Sequence, residues 1–143
     1  MNIKQISIFL ENKKGRLADV TELMAAEKIN IRALSLADTA EFGILRLIVD
    51  DPDKCITALK AKSFVAQETE VIAVEVEDAP GGLNKIMGIF DKENLNIEYM
   101  YAVVEKKADN ALVIFRIDDC KRAVEVLQKN NISVVSNEII KKL

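Results

Sequence analysis

"EDAPGGLNKIMGIFDKENLNI" runs from Glu77 to Ile97, and "ENKKGRLADVTELMAAEKINI" runs from Glu11 to Ile31, 66 positions earlier. Each stretch has a glycine (Gly15, Gly81), a leucine two residues later (Leu17, Leu83) and an Asn-Ile pair fifteen residues after the glycine (Asn30-Ile31, Asn96-Ile97). Between these marks the apolar residues step by three and four: Leu17, Val20, Leu23, Met24 in one copy and Leu83, Ile86, Ile89, Phe90 in the other. That spacing predicts one apolar face of a helix, written twice.

The flanks repeat as well. "KQISIFLE" alternates Ile6, Ile8 and Leu10 with polar or smaller residues, the pattern of a half-buried strand. "INIRALSLAD" and "FGILRLIVD" read as strands. Asp51-Pro52 opens a helix with an N-cap acid and a proline at its first position, and "FVAQ" closes as a short strand. The order then restarts with "EVIAVEVE", "NIEYMYAVVE" and "NALVIFRID", a helix capped by Asp118 or Asp119, and "ISVVS". The offset grows to 68 by that last helix, which puts two added residues in the hairpin "EKKADNA". The fold class predicted is α+β: two consecutive βαββαβ, ferredoxin-like units, with antiparallel sheets, packed side by side. The units span residues 1–69 and 70–143, with only Glu68 to Glu70 as connection. A unit of about 70 residues buries too little surface to be robust alone, which gives the duplication a physical reason.

The 143-residue chain is 50% hydrophobic and 30% charged, an ordinary globular balance. Its net charge of −3, with no basic tract of five or more, points away from nucleic acid. Phe115-Arg116 is a faint echo of an RNA-recognition strand, without its glycine-aromatic signature. No apolar run approaches membrane-spanning length, and no secretory leader is read at the N-terminus, so a cytoplasmic protein is expected. With no histidine the commonest general base and metal ligand is missing. Cys55 and Cys120 form no CxxC motif and read as small hydrophobes. Asp50-Asp51 and Asp118-Asp119 read as helix caps, and no cofactor or metal is expected. The expectation is a protein that is not an enzyme.

A βαββαβ unit with Pro-Gly-x-Leu after its first strand and Asn-Ile opening its second resembles an ACT domain. The second copy carries the motif intact in Pro80, Gly81, Gly82, Leu83, Asn96 and Ile97; the first has Lys14 in place of the proline, before Gly15, Arg16 and Leu17. As a whole the chain is similar to small tandem ACT proteins of bacteria. The resemblance implies regulatory binding of a small molecule, an amino acid, at the interface of two ACT-type units. Carried over by position, the strand-to-helix loops contribute Glu11, Asn12, Gly15, Arg16 and Leu17, and Asp78, Pro80, Gly81, Gly82 and Leu83. The second strands contribute Asn30, Ile31, Asn96 and Ile97. Output would pass through oligomer state or through a regulated enzyme or regulator protein. The alternatives are an assembly module without ligand and a small ferredoxin-like enzyme.

Other residues admit two readings. Arg32 and Arg46 suit either an ion pair with Asp38 or a clamp on a ligand carboxylate. Tyr99 and Tyr101, two apart on one strand, suit either packing or a ligand wall. Met24, Met87 and Met100 are expected in the core. Ile44, Leu45, Leu47 and Ile48, like Val113, Ile114 and Phe115, put apolar groups on both faces of a strand, and a homodimer is expected.

Overall fold

The computed structural model describes residues 2–38, 41–103 and 110–142, with the side chain of Asp38 excluded. Its contacts divide the chain into two compact units, Lys4–Thr69 and Glu70–Lys141, and Asn2 and Ile3 group with the latter.

The first unit runs β1 (Ile3–Glu11), α1 (Arg16–Ala26), β2 (Ile31–Asp38), β3 (Phe42–Val49), α2 (Pro52–Ala61) and the opening residues of β4 (Val65–Glu77). β3 pairs antiparallel with β1 and β2, setting Leu45 opposite both Ile8 and Leu36. Ile6, Ile8 and Leu10 then share a face with Leu45, Leu47 and Val49, and against that face pack Val20 and Met24 of α1, Cys55 and Leu59 of α2, and Phe64. Each large aliphatic side chain so buried contributes about 1.5–3 kcal/mol. β1 departs from simple alternation. Gln5 and Ser7, on its other face, are also buried, and Gln5 Nε2 donates to Ser7 Oγ at 3.1 Å, so neither polar group is left unmatched.

The second unit repeats the order: β4, α3 (Gly82–Lys92), β5 (Ile97–Ala102), β6 (Asn110–Ile117), α4 (Cys120–Lys129) and β7 (Val134–Val135). β6 pairs antiparallel with β4 and β5, and β7 pairs with β4. Ile72, Val74, Val76, Val113, Phe115 and Ile117 face Ile86, Phe90, Ala123, Val126 and Leu127. Phe90 and Phe115 meet edge to face, 5.4 Å between ring centres at 82°. The offset is 66 for α1 and α3 and 68 for α2 and α4. The added residues therefore fall between β5 and β6, in a segment outside the described residues.

Four expectations need correction. No linker separates the halves: β4 is one strand of 13 residues from Val65 to Glu77, because Gln67, Glu68 and Thr69 continue the extended backbone instead of turning. A short helix absent from the sequence reading, α5 (Asn137–Lys141), follows β7 and carries the fully buried Ile140. Met100 is not core but 38% exposed: it shares the helix-bearing face with its ladder partner Phe115, yet stands on the outermost strand β5, where it is left partly uncovered. Leu17 and Leu83 also lie outside the core, at 40% and 41% exposure; it is Val20 and Met24 of α1, and Ile86 and Phe90 of α3, that reach the sheet.

Two turn devices occur twice each. Asp51 and Asp119 cap α2 and α4 by accepting from the N–H groups of Lys54 and Arg122 at 3.2 and 3.1 Å. Their neighbours do something else: Asp50 Oδ1 accepts from Asn30 N–H at 3.0 Å and Asp118 Oδ1 from Asn96 N–H at 3.2 Å. Every long helix ends on a non-glycine residue with positive φ (Lys28, Ser63, Asn94, Asn131). The residue after each donates back into the last turn, as Ile29 does to Met24 and Leu95 to Phe90, both at 2.9 Å.

Candidate functional site

Both Gly-x-Leu loops are built alike. Gly15 (φ 91°, ψ −14°) and Gly81 (φ 87°, ψ −8°) take the left-handed conformation that swings the chain from strand into helix. No side chain caps α1 or α3, whereas Asp51 and Asp119 cap α2 and α4. The first amide of each helix is taken by the loop itself, Arg16 N–H by the Lys13 carbonyl at 3.4 Å and Gly82 N–H by the Ala79 carbonyl at 3.0 Å, while the amides that follow lie at the positive end of a helix, a place that favours an anion. The exposed Leu17 and Leu83 stand beside them.

In the first unit this loop forms a cavity of about 230 Å³ lined by Leu10, Glu11, Asn12, Lys13, Arg16, Leu17, Leu36 and Gly43. Asn12 N–H donates to the Glu41 carbonyl at 3.0 Å, which ties the loop to the β2–β3 turn. The cavity lies below the roughly 300 Å³ at which pockets for drug-sized molecules begin, so it suits a ligand of few atoms. Of the residues expected from sequence, Glu11, Asn12, Arg16 and Leu17 meet here. Leu10, Lys13, Leu36 and Gly43 were missed. Gly43 pairs with Asp38 and Leu10 in the ladders, a register no local motif announces, and Leu36 sits in an alternating stretch where the polar residues draw the eye.

Asn30 and Ile31 do not join them. β2 runs parallel to β1, so its first residues lie at the far end from the loop, roughly 23 Å along the strand. Asn30 holds Asp50 from both sides: its N–H donates to the carboxylate and its carbonyl accepts from Asp50 N–H at 3.1 Å. Asn96 and Asp118 repeat this arrangement, with 3.2 Å for both bonds. Within each unit the recurrent Asn-Ile pair is thus a backbone clasp.

The second loop is tighter. Asp78, Pro80 and Gly81 are exposed and Gly82 is buried; a Cβ at Gly82 would run into the Glu77 carbonyl, where the first unit accommodates Arg16. Gly82 lines a hollow of about 210 Å³, with Glu75, Glu77, Lys85 and Ile132.

Arg16 is the most constrained charged group. Its guanidinium lies 4.7 Å over the Phe64 ring, its Nη1 is 3.4 Å from Asp19 Oδ2, and its Nε is buried without an acceptor. Arg32 and Arg46 both engage other groups; the Asp38 carboxylate expected to pair with them lies outside the described side chains. Tyr99 and Tyr101 are half-buried on the face away from the helices, opposite Arg116 and Ile114. Cys55 is buried with its Sγ 3.5 Å from Met24 Sδ. Burial, and then the Asp51 and Asp50 carboxylates, push its thiol up to about 12. It is inert as a nucleophile. No group of acidic, cysteine or histidine side chains among the described residues is arranged to hold a metal, and no helix is long and apolar enough to cross a membrane.

Two βαββαβ units in series, each with a strand-to-helix loop that no side chain caps, define a tandem ferredoxin-like module. The chain belongs to the ACT domain pair family, whose model matches residues 1–143. It is similar to a protein from Bacteroides thetaiotaomicron of known crystal structure, with 42% identity over 100% of this chain and 98% of that one, and a TM-score of 0.94. The regulatory subunits of aspartate kinase from Thermus thermophilus, in ligand-free form, and Thermus flavus share the fold. Their identities are 16% and 13% and their TM-scores 0.64 and 0.61. The matches cover 88% and 90% of this chain and 91% and 92% of theirs. No curated protein matches.

Proposed function

We propose that this chain is a regulatory binding protein for a free amino acid, with no catalytic activity of its own. The observation that carries the reading is the contrast among its helices. The two that follow a Gly-x-Leu loop are uncapped and flanked by an exposed leucine; the two that do not are capped by aspartate. Loop amides would receive the ligand carboxylate, and Asn12 or Asp78 its ammonium. Leu17 or Leu83 would contact its side chain. The site so proposed comprises Glu11, Asn12, Gly15, Arg16 and Leu17 in residues 1–69, and Asp78, Pro80, Gly81, Gly82 and Leu83 in 70–143. Asn30, Ile31, Asn96 and Ile97 enter only if the ligand lies at the interface of the units, as the family resemblance implies.

The ligand signal would pass to another polypeptide or to oligomer state. Regulatory subunits of aspartate kinases with this fold make a regulated enzyme a reasonable partner class. A homodimer is favoured by exposed apolar side chains in the first unit, Phe9, Leu34, Leu36 and Phe42. The same residues are what a ligand-free assembly module would display. Buried, unbridged thiols suit a cytoplasmic setting.

A thermal-shift screen of the twenty amino acids at millimolar concentration tests the reading. At a hundredfold excess over Kd a true ligand adds about 2.7 kcal/mol. Stabilisation by one or two amino acids, lost in Gly15→Val or Gly81→Val, is expected. A flat screen on folded protein favours the assembly module. Light scattering at micromolar concentration checks the dimer; a mass near 15.9 kDa would refute it.

A further inference from the structure

A larger hollow, of about 420 Å³, lies on the other side of Arg16, between the outer face of α1 and the turn from α2 into β4. We propose that this groove, formed by Arg16, Asp19, Glu22, Leu23, Lys62 and Phe64, is a second small-molecule site, for a zwitterionic amino acid with an apolar side chain. Its chemistry is balanced: two cations, two carboxylates and an apolar floor. Asp19 and Glu22 are three apart on α1 and so share one face. Leu23 is half-buried and Phe64 is 9% exposed beneath them.

Arg16 supplies the pointer to a ligand. The Phe64 ring fixes its plane, its bond to Asp19 is long at 3.4 Å, and its buried Nε has no acceptor. Arg16 keeps 27% of its side chain exposed and lines the hollow, so a ligand carboxylate would take charge-assisted bonds from its terminal Nη groups in place of the long Asp19 contact. Lys62 is the second cation for that carboxylate, and Asp19 and Glu22 receive the ammonium.

The equivalent hollow of the second unit is the internal control. Gly82 stands there for Arg16, Lys85 for Asp19 and Ile132 for Phe64, and Glu75 and Glu77 add negative charge. The fold thus dents both units at this place, but only the first has an arginine fork over an aromatic ring. The site is separate from the loop cavity, sharing with it only Arg16.

The test is an amide-resolved NMR titration of the full chain with L-leucine. 4-Methylpentanoate, which lacks the ammonium, and 3-methylbutylamine, which lacks the carboxylate, serve as controls. The expected result is saturable shifts at Glu22, Ala26, Lys62 and Phe64 with L-leucine, and much weaker ones with either control. Glu22→Gln and Lys62→Gln, both at solvent-facing positions, should each weaken binding about fivefold. Shifts confined to Asn12, Leu36 and Gly43 would overturn the groove site while leaving the loop site standing. Equal responses to all three probes, or no groove shifts at all, would also overturn it.

Discussion

Gly82 and Gly88 lie six residues apart, one opening α3 and the other inside it, and the same methyl group should act on them with opposite sign. At Gly82 an added Cβ would meet the Glu77 carbonyl, which is backbone and has no rotamer to give way. The loop between β4 and α3 must shift, and forced overpacking of this kind costs about 1–3 kcal/mol. The gain from restricting the unfolded chain, about 0.5–1 kcal/mol, offsets part of it. Gly82→Ala should therefore destabilise by about 1–2 kcal/mol. At Gly88 nothing stands within 4 Å of the added Cβ, on an exposed helical position. Gly88→Ala should stabilise by about 0.5–1 kcal/mol. Urea unfolding followed by far-UV circular dichroism measures both, as shifts in midpoint at unchanged slope. In melting temperature each kcal/mol corresponds to about 2–4 °C for a chain of this size. Should Gly82→Ala prove as stabilising as Gly88→Ala, the Glu77 contact does not exclude a side chain. The explanation of why the two loops differ would then be wrong.

Further outcomes follow from the same geometry. The Cys55 thiol titrates near 12 when folded against 9.0 in the free side chain, so its contribution is whole below pH 9 and is lost as pH rises from 9 to 12. Stability of the wild type should fall by up to about 1.4 kcal/mol per pH unit more steeply than that of Cys55→Ala across this range, and equal slopes in urea titrations would contradict it. Asp50→Ala and Asp118→Ala should each cost about 1 kcal/mol through the lost bond to Asn30 or Asn96 N–H, by the same assay. A neutral result at either position would mean the clasp is ornamental. Lys28→Gly should stabilise by about 1 kcal/mol and Asn94→Gly by only a few tenths, because asparagine tolerates the φ of 55° that lysine at 57° does not. Differential scanning calorimetry would settle the order, and equal effects would argue against left-handed strain.

Much of this architecture could be read from spacing alone. The offsets of 66 and 68 place α1 to α4, though not the short α5, and the Asp-Pro pair at Asp51 marks a helix start by a rule local enough to hold anywhere. The misreadings share a cause. Whether Leu17 lies over the sheet, whether Met100's strand is central or outermost, and whether Gln67 to Thr69 turn or continue all depend on partners distant in sequence. The candidate site divides the same way. The loop residues announce themselves through their glycines, whereas Leu36 and Gly43 arrive by strand register and Lys62 by the path of a different helix. Asn-Ile, the most conspicuous recurring pair, is explained within each unit by an aspartate twenty or more residues away.

The unbroken strand β4 makes changes in chain length unequal. Between β5 and β6 the second copy carries two extra residues, and β6 keeps the eight residues of its counterpart β3. Inside β4 the side chains alternate through the junction at Thr69 and Glu70. One inserted residue there would reverse the alternation on one side of it and turn Ile72, Val74 and Val76 out of their core. Evolution or an engineer can lengthen this protein at its hairpins freely, but at its middle only in even steps, and a flexible tether spliced there would replace paired backbone with slack chain.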